Sequence, residues 1–278
     1  MGLADAYAAR AAFNDNGTRT AFLVVDTESV PDGRLVSAVK YPGENLSPEE
    51  AVERARAEAR ESSWSGSDFL PVTFQLPVAA CVLRVGPDFE FLNFKCLDAP
   101  QFRPREIVNQ FWFGVTHYHG AEKAKLVTFN GRGFDLPLME LAAFRYGIPA
   151  REHYLARDRY RGPIDLMDWF TNFGACRLTG GLNLLAKLLG KPGKMDVSGE
   201  RVYELHREGR LQEISDYCLC DTLDTYFVFL RTRVLTGDVT REQEAELVAK
   251  AKEVLRAKSA EFPVLSRYLA HWTDFEAA

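Results

Sequence analysis

The sequence predicts an α/β fold, because short apolar runs bounded by turn residues alternate with longer stretches of helical periodicity. The first run is AFLVV, a continuous apolar stretch typical of a buried strand, and it predicts a strand over 21–26. Two further runs, 78–85 and 89–97, flank the turn Gly86-Pro87-Asp88 and predict a hairpin.

The next segments predict helices and strands in alternation. The expected order is a helix at about 104–118, a strand at 125–129, a helix from 136, a short strand near 164 and a long helix that ends at Gly237. Two more helices are expected in a tail, at 241–257 and around 263–272, and Thr240 with Gln243 forms a capping box before the first.

A long polar segment, about residues 31–77, separates the first strand from the hairpin. Ser47-Pro48-Glu49-Glu50 reads as a capping box with proline at the first helical position, so an extra helix is expected there. This insertion could cover a site, gate the entry of a single strand, or be a solvated helix with no role.

Composition limits the class of protein. The 278 residues are 46% hydrophobic, which gives ample core, and no linker or repeat divides them. We therefore expect one domain over 1–278, with a core of about 20–236 and a helical tail of 240–278. No run of eighteen apolar residues and no signal peptide is evident, so no membrane association and a cytoplasmic location are expected. Five cysteines without zinc spacing are expected to be free thiols.

Two carboxylates end the first strand. Residues two apart on a strand point to the same face, so Asp26 and Glu28 lie side by side while Thr27 points away. Two like charges this close cost free energy unless a cation lies between them, and oxygen ligands suit magnesium or manganese. The alternative is a strand end with two solvated acids.

A third carboxylate follows the strand at 125–129. The turn Asn130-Gly131-Arg132-Gly133 leads to Asp135, which opens a helix that Gly147 and Pro149 end. Asp135 is either the cap of this helix or a metal ligand at the carboxyl end of a strand.

The long helix carries the fourth carboxylate. Tyr217 and Asp221 are four residues apart and share one face of an otherwise apolar helix. A buried aspartate needs a partner, which could be a metal ion or the tyrosine hydroxyl. Asp216 and Asp224 are expected on the solvated stripe of the same helix.

These three settings together resemble the DEDD superfamily of 3′-5′ exonucleases, in its tyrosine subclass. The match is nearest to the stand-alone predicted exonucleases related to the exonuclease domain of family B DNA polymerases. Residues 164–168, 181–199 and 212–231 are similar to that family as well, so the resemblance covers most of 20–235. It implies a ribonuclease H-like fold with a mixed five-stranded sheet flanked by helices and a C-terminal helical extension.

The resemblance also implies roles for individual residues. Asp26, Glu28 and Asp221 would hold one Mg²⁺ or Mn²⁺ ion, Asp26 would bridge to a second ion supported by Asp135, and Tyr217 would orient the attacking water. Substrate contacts would come from five further residues: Thr27, Asn130, Phe134, Leu182 and Lys194. The implied substrate is the 3′ end of a single-stranded nucleic acid, and the product a nucleoside 5′-monophosphate.

Other polar clusters bear on the substrate. The formal net charge of −5 argues against a tight nonspecific duplex binder. Arginines alternate with tyrosines in 151–162, which suits a single strand or an ordinary surface loop. Lys187, Lys191 and Lys194 form a weaker basic cluster.

Two acids and two histidines complete the candidates. Asp168 is expected to cap a helix starting at Trp169, and Asp165 to support the site from outside the ligand set. His117 and His119 end a helix, where histidine complements the helix dipole, and are not expected to bind metal.

Three functions remain open on the sequence. The first is a metal-dependent 3′-5′ exonuclease on single-stranded DNA, with a role in repair, and the second is the same chemistry on RNA. The third is an inactive nuclease-like fold that binds nucleic acid or protein. An inactive relative should have lost an acid, and all four acids and the tyrosine are present, so an active enzyme on DNA is favoured.

Overall fold

The protein is an α/β fold built on one mixed sheet. A computed structural model describes residues 18–64, 66–156, 162–195 and 199–273. The five strands lie in the order β3-β2-β1-β4-β5, in which β1 pairs antiparallel with β2 and parallel with β4. The strands are β1 Phe22–Pro31, β2 Gln75–Val85, β3 Phe91–Cys96, β4 Lys125–Thr128 and β5 Ile164–Asp165. The predicted fold class, a mixed five-stranded sheet flanked by helices, is confirmed.

Helices cover both faces of this sheet and continue into a tail. Their bounds are α1 Gly33–Lys40, α2 Pro48–Ser62, α3 Pro104–His117, α4 Asp135–Tyr146, α5 Arg151–Leu155, α6 Leu166–Thr171, α7 Gly181–Leu188, α8 Val202–Arg207, α9 Leu211–Thr236, α10 Arg241–Lys258 and α11 Val264–Ala270. Within the described ranges, no helix is long and apolar enough to cross a membrane.

The alternation of side chains along β1 divides the core into two layers. Val24 packs into the layer beneath α9, and Leu23 and Val25 pack into the layer beneath α3 and α4. The same alternation continues past the apolar run. Asp26 and Glu28 therefore lie on the same face of β1 as Val24, and Thr27 lies on the same face as Val25. A register irregularity between Glu28 and Ser29 then changes the course of the strand.

The insertion between β1 and β2 is a folded unit. Its expected helix is α2, and Ser47 and Glu50 form the predicted capping box. A second helix, α1, which the sequence did not indicate, packs against α2 through a small apolar cluster of Val36, Tyr41, Ala51, Ala55 and Leu70. α2 is exposed on one face and buried on the other, where Ala51, Val52 and Ala55 lie.

Two expectations about helical aspartates are wrong. Asp165, not Asp168, caps the helix that follows β5, because its carboxylate accepts a hydrogen bond from Met167 N at 3.1 Å. Asp168 instead pairs with Arg132 at 3.0 Å. Asp224 is fully buried rather than solvated, and the hydroxyl of Tyr268 donates to its Oδ1 at 2.7 Å.

Candidate metal centre

The carboxyl end of the buried part of β1 meets the middle of α9. The Cys218 thiol, one turn before Asp221 on α9, donates to the carbonyl oxygen of Asp26 at 3.3 Å. This contact joins the helix to the strand at the point where the strand turns from apolar to acidic. Asp221 therefore lies above the side chains of Asp26 and Glu28.

Three carboxylates converge there. One oxygen from each of Asp26, Glu28 and Asp221 lies within 4.8 Å of the other two, and all three side chains are half-buried. Asp26 Oδ2 is buried and has no hydrogen-bond partner. Three acids at this distance, with an unpartnered oxygen among them, are a fitting ligand set for a hard divalent cation.

Burial and mutual repulsion both raise the pKa values of these acids. Loss of solvent, together with the charges of neighbouring carboxylates, raises the pKa of Asp26 and of Glu28 well above the usual range. Loss of solvent also raises the pKa of Asp221 to about 6, although the Tyr217 hydroxyl and Lys194 oppose the shift. Without a cation, the ionised cluster is thus strongly disfavoured.

Asp135 is held beside this cluster by Thr27. The Thr27 hydroxyl, on the opposite face of β1 from Asp26, donates to Asp135 Oδ1 at 2.5 Å. Asp135 is buried, and loss of solvent raises its pKa to about 7. The N-cap of its helix is Phe134, so the interpretation of Asp135 as a helix cap is wrong. Its charge raises the pKa of both Asp26 and Glu28, which puts it within electrostatic reach of the centre.

Tyr217 lies one turn before Asp221 on the same face of α9. Its hydroxyl is close enough to the Asp221 carboxylate to lower the pKa of that acid. Loss of solvent and the three neighbouring acids raise the pKa of Tyr217, so the phenol stays protonated at neutral pH. The residue is a donor at the edge of the acidic cluster.

Asp165 organises the turn that leads to Asp135. Its two carboxylate oxygens accept from the backbone N–H of Asn130 at 2.8 Å and of Arg132 at 2.9 Å. Asn130 itself is exposed and adopts a left-handed φ of 63°. The expected supporting role of Asp165 therefore has a geometric basis, in the backbone of the turn.

A cleft of about 800 Å³ opens beside Glu28. Of the expected substrate contacts, Thr27, Phe134 and Lys194 line this cleft. Leu182 instead is half-buried against the core beneath α9. Asn183 was missed by the sequence analysis: its Oδ1 accepts from Lys194 N at 2.8 Å and so fixes the backbone that carries the lysine.

The three lysines of the basic cluster do not act together. Lys187 and Lys194 are exposed. Lys191 is buried, and burial lowers its pKa to about 8. Its Nζ donates a hydrogen bond to Leu189 O at 3.1 Å and lies 4.1 Å from the ring centroid of Trp272. It belongs to the contact with the tail, and its assignment to a basic cluster at the site is wrong.

Two remaining candidates contribute no described residue to the lining of the cleft. In the 151–162 segment, Arg151 and Tyr154 are exposed, and residues 157–161 lie outside the described part of the chain. His117 stacks on Phe113, and His119 Nδ1 lies 3.0 Å from Ala124 O.

Comparison with known proteins gives one match. A family described as predicted 3′-5′ exonuclease related to the exonuclease domain of PolB has a model that matches residues 67–272. The chain belongs to this family. Searches of curated proteins and of solved structures found no match.

Membership in this exonuclease family implies a nucleic-acid substrate, and exonuclease domains of this kind depend on metal. The matched range contains Asp135, Tyr217 and Asp221 but begins after Asp26 and Glu28. Asp26 and Glu28 lie on β1, which pairs with β2 and β4 of the matched range, and both acids lie close to Asp221.

Proposed function

We propose that this protein is a metal-dependent 3′-5′ exonuclease that removes nucleoside 5′-monophosphates from the 3′ end of single-stranded DNA. The observation that carries the proposal is the convergence of Asp26, Glu28 and Asp221 within 4.8 Å of one another. The family supplies the reaction class, and the acidic cluster supplies a place for the metal that the reaction needs.

Four carboxylates would hold two ions, Mg²⁺ or Mn²⁺. Asp26, Glu28 and Asp221 would hold the first ion, and Asp26 would also contribute to a second ion that Asp135 would support directly or through water. The unpartnered Oδ2 of Asp26 supports this sharing, because a buried carboxylate oxygen needs a partner. When bound, the ions activate water and stabilise the negative charge of an in-line displacement at phosphorus.

The remaining residues position these groups. Thr27 fixes the rotamer of Asp135 through its short hydrogen bond. Tyr217 keeps its proton, and its hydroxyl beside Asp221 orients the attacking water toward the scissile phosphate. Lys194, exposed at the rim of the cleft near Glu28, offers a positive charge to the substrate phosphate.

Retention of the whole ligand set favours an enzyme over an inactive binding module. A module that only binds nucleic acid gains nothing from four mutually repelling carboxylates, whose raised pKa values disfavour the charged state.

Five free thiols, of which Cys176 is exposed, favour a reducing compartment such as the cytoplasm.

A gel time course tests the proposal. Single-stranded DNA and RNA of one sequence, labelled at the 5′ or the 3′ end, are incubated with Mg²⁺, Mn²⁺ or EDTA. We expect a ladder that shortens from the 3′ end of DNA with metal only, and none with Asp26→Ala. Faster RNA degradation would reassign the substrate to RNA, and equal activity of Asp26→Ala would refute the site.

A further inference from the structure

We propose that the part of the insertion formed by residues 33–64 and 66–70 is one wall of a binding site for a single-stranded polynucleotide, in which Phe69 stacks on a base and Arg60 binds a phosphate. The wall shares with Glu28 the lining of the cleft of about 800 Å³, to which it contributes Arg60 and Phe69. The proposal rests on the proposed function, because it names where the strand leading to the metal centre lies.

The wall is attached firmly enough to position a ligand. Its own apolar cluster includes the buried side chains Val36, Ala55 and Leu70. Ion pairs join it to the rest of the fold: Arg56 contacts Glu204 at 3.3 Å, and Asp32, just before α1, pairs with Arg145 on α4. Residues on this wall therefore keep a defined place relative to Glu28.

The charge of the cleft suits a polyanion. Among the described residues, the charged side chains that line it are the cations Arg56, Arg60 and Lys194 and the acids Glu28 and Asp68. Arg56 and Arg60 share Asp68, at 3.1 and 2.5 Å, so one carboxylate faces two guanidinium groups. The Arg60 side chain is 63% exposed and keeps N–H donors for a phosphate. The described part of the lining thus has one more cation than acids, whereas the whole chain has a net charge of −5.

Aromatic rings line the same cleft as these cations. Phe69 is 55% exposed, and its ring centroid is 5.8 Å from that of Phe134, which also lines the cleft. Tyr203 lines the same cleft, with the Arg56 guanidinium 4.8 Å from its ring centroid. Exposed rings interleaved with arginines are the usual platform for unpaired bases. Bases within a duplex are already stacked, so this wall selects single strands.

Binding without metal tests the wall separately from catalysis. The probe is a 5′-fluorescein oligothymidylate, titrated by fluorescence anisotropy in EDTA. We expect Phe69→Ala to raise the Kd of the probe about fivefold or more, since stacking of a base on one aromatic ring contributes that much. Arg60→Ala should raise the Kd by about the same factor, because it removes a charge-assisted hydrogen bond to a phosphate. Arg60→Ala should also lower the slope of log K against log salt by about 0.7, the loss of one phosphate contact.

Matched variants control for exposure and charge. Phe144 on α4 is 87% exposed, and Arg54 on α2 pairs with Glu44 and Glu58. Neither Phe144 nor Arg54 is among the described residues that line the cleft. Phe144→Ala and Arg54→Ala should bind the probe as the wild type does. Equal binding by Phe69→Ala and the wild type, or no binding by the wild type, overturns the proposal.

Hydrolysis of a small ester separates this proposal from the proposed function. The 4-nitrophenyl ester of thymidine 5′-monophosphate contains one nucleotide and no preceding strand. With Mn²⁺, Phe69→Ala and Arg60→Ala should keep the wild-type kcat/KM on this ester while losing about fivefold on an oligonucleotide. Equal losses on both substrates would overturn the strand-binding role. If the wild type is inactive but still binds the probe more tightly than Phe69→Ala does, the proposed nuclease function is refuted and the strand-binding role of the wall is supported.

Discussion

Two aspartates on α9, three residues apart, show how neighbours distinguish a structural acid from a candidate metal ligand. Asp224 is fully buried and accepts a hydrogen bond from Tyr268 of the tail, and burial raises its pKa to about 7. Asp221 has a similarly raised pKa, about 6, but faces Asp26 and Glu28. A raised pKa alone therefore does not mark the site. The neighbouring acids make the difference: Asp224 has one oxygen on the Tyr268 hydroxyl and the other without a hydrogen-bond partner, whereas Asp221 lies with two further carboxylates within 4.8 Å of one another, a set that suits a divalent cation.

Asparagine substitutions at these two positions test the comparison most strongly. Asp221→Asn should lower kcat about a thousandfold or more, because a ligand to a catalytic metal contributes several kcal/mol of transition-state stabilisation. Asp224→Asn keeps an acceptor for Tyr268 and should retain activity within about threefold, since it removes no ligand. Steady-state hydrolysis of the thymidine ester measures both, and equal losses would contradict the distinction.

The tyrosines that contact these aspartates should separate in the same way. Tyr217→Phe should lower kcat about a hundredfold through misplacement of the water, with Mn²⁺ affinity unchanged. Tyr268→Phe should leave kcat unchanged and lower the free energy of unfolding by about 1–3 kcal/mol, because it leaves the buried Asp224 without its donor. Urea denaturation and Mn²⁺ titration of both variants check this. A collapse of metal affinity in Tyr217→Phe would contradict the water-positioning role.

The raised pKa values predict a pH dependence of metal binding. Asp135 and Asp221, with pKa values of about 7 and 6, must lose their protons to bind a cation. The Kd for Mn²⁺ should therefore rise more than tenfold from pH 8 to pH 6, roughly tenfold per unit for each proton displaced. Calorimetry in buffers of different ionisation enthalpy would also detect the released protons. A constant Kd over this range would contradict the raised values.

The same shifts predict the stability of the metal-free protein. A carboxyl group whose folded pKa is raised stabilises the fold below its unfolded pKa, near 4, and this contribution is lost as pH rises through 6 to 7. In EDTA, the Tm should fall between pH 5 and pH 8, and Mn²⁺ should restore it at pH 8. Asp221→Asn should show a shallower fall, and an equally steep fall in that variant would contradict the assignment.

Removal of the contact that holds Asp135 should have the smallest effect on rate. Thr27→Val keeps the shape of the side chain and removes the hydroxyl that donates at 2.5 Å. Partners that orient ligands contribute about tenfold or more, so we expect about a tenfold loss of kcat/KM with Mn²⁺. Thr128→Val, at a buried hydroxyl that has no hydrogen-bond partner, is the matched control and should have no such effect. Wild-type activity of Thr27→Val would show that Asp135 needs no support.

Local patterns predicted much of the fold. The apolar run before Asp26 marked a strand, and its alternation predicted Asp26 and Glu28 on one face, where they meet Asp221, and Thr27 on the other, where it meets Asp135. The capping box at Ser47 and the glycine at 237 marked the ends of helices with little dependence on the rest of the chain. These signals are encoded within a few residues of each other, which is why sequence alone sufficed.

Contacts between distant segments could not be predicted. Asp224 shares its face of α9 with apolar residues, but its burial depends on Tyr268, 44 residues later. The Thr27–Asp135 hydrogen bond joins residues 108 apart, and the placement of Phe69 opposite Phe134 depends on how α1 and α2 pack. No periodicity within a segment carries that information.

The measurement that tests the central claim most directly is calorimetric titration of Mn²⁺ into the wild type and Asp26→Ala at pH 8, without substrate. The account predicts two ions bound by the wild type and loss of the high-affinity binding in Asp26→Ala, with circular dichroism unchanged. Equal affinity and stoichiometry in the two proteins would contradict a metal centre built on the end of β1.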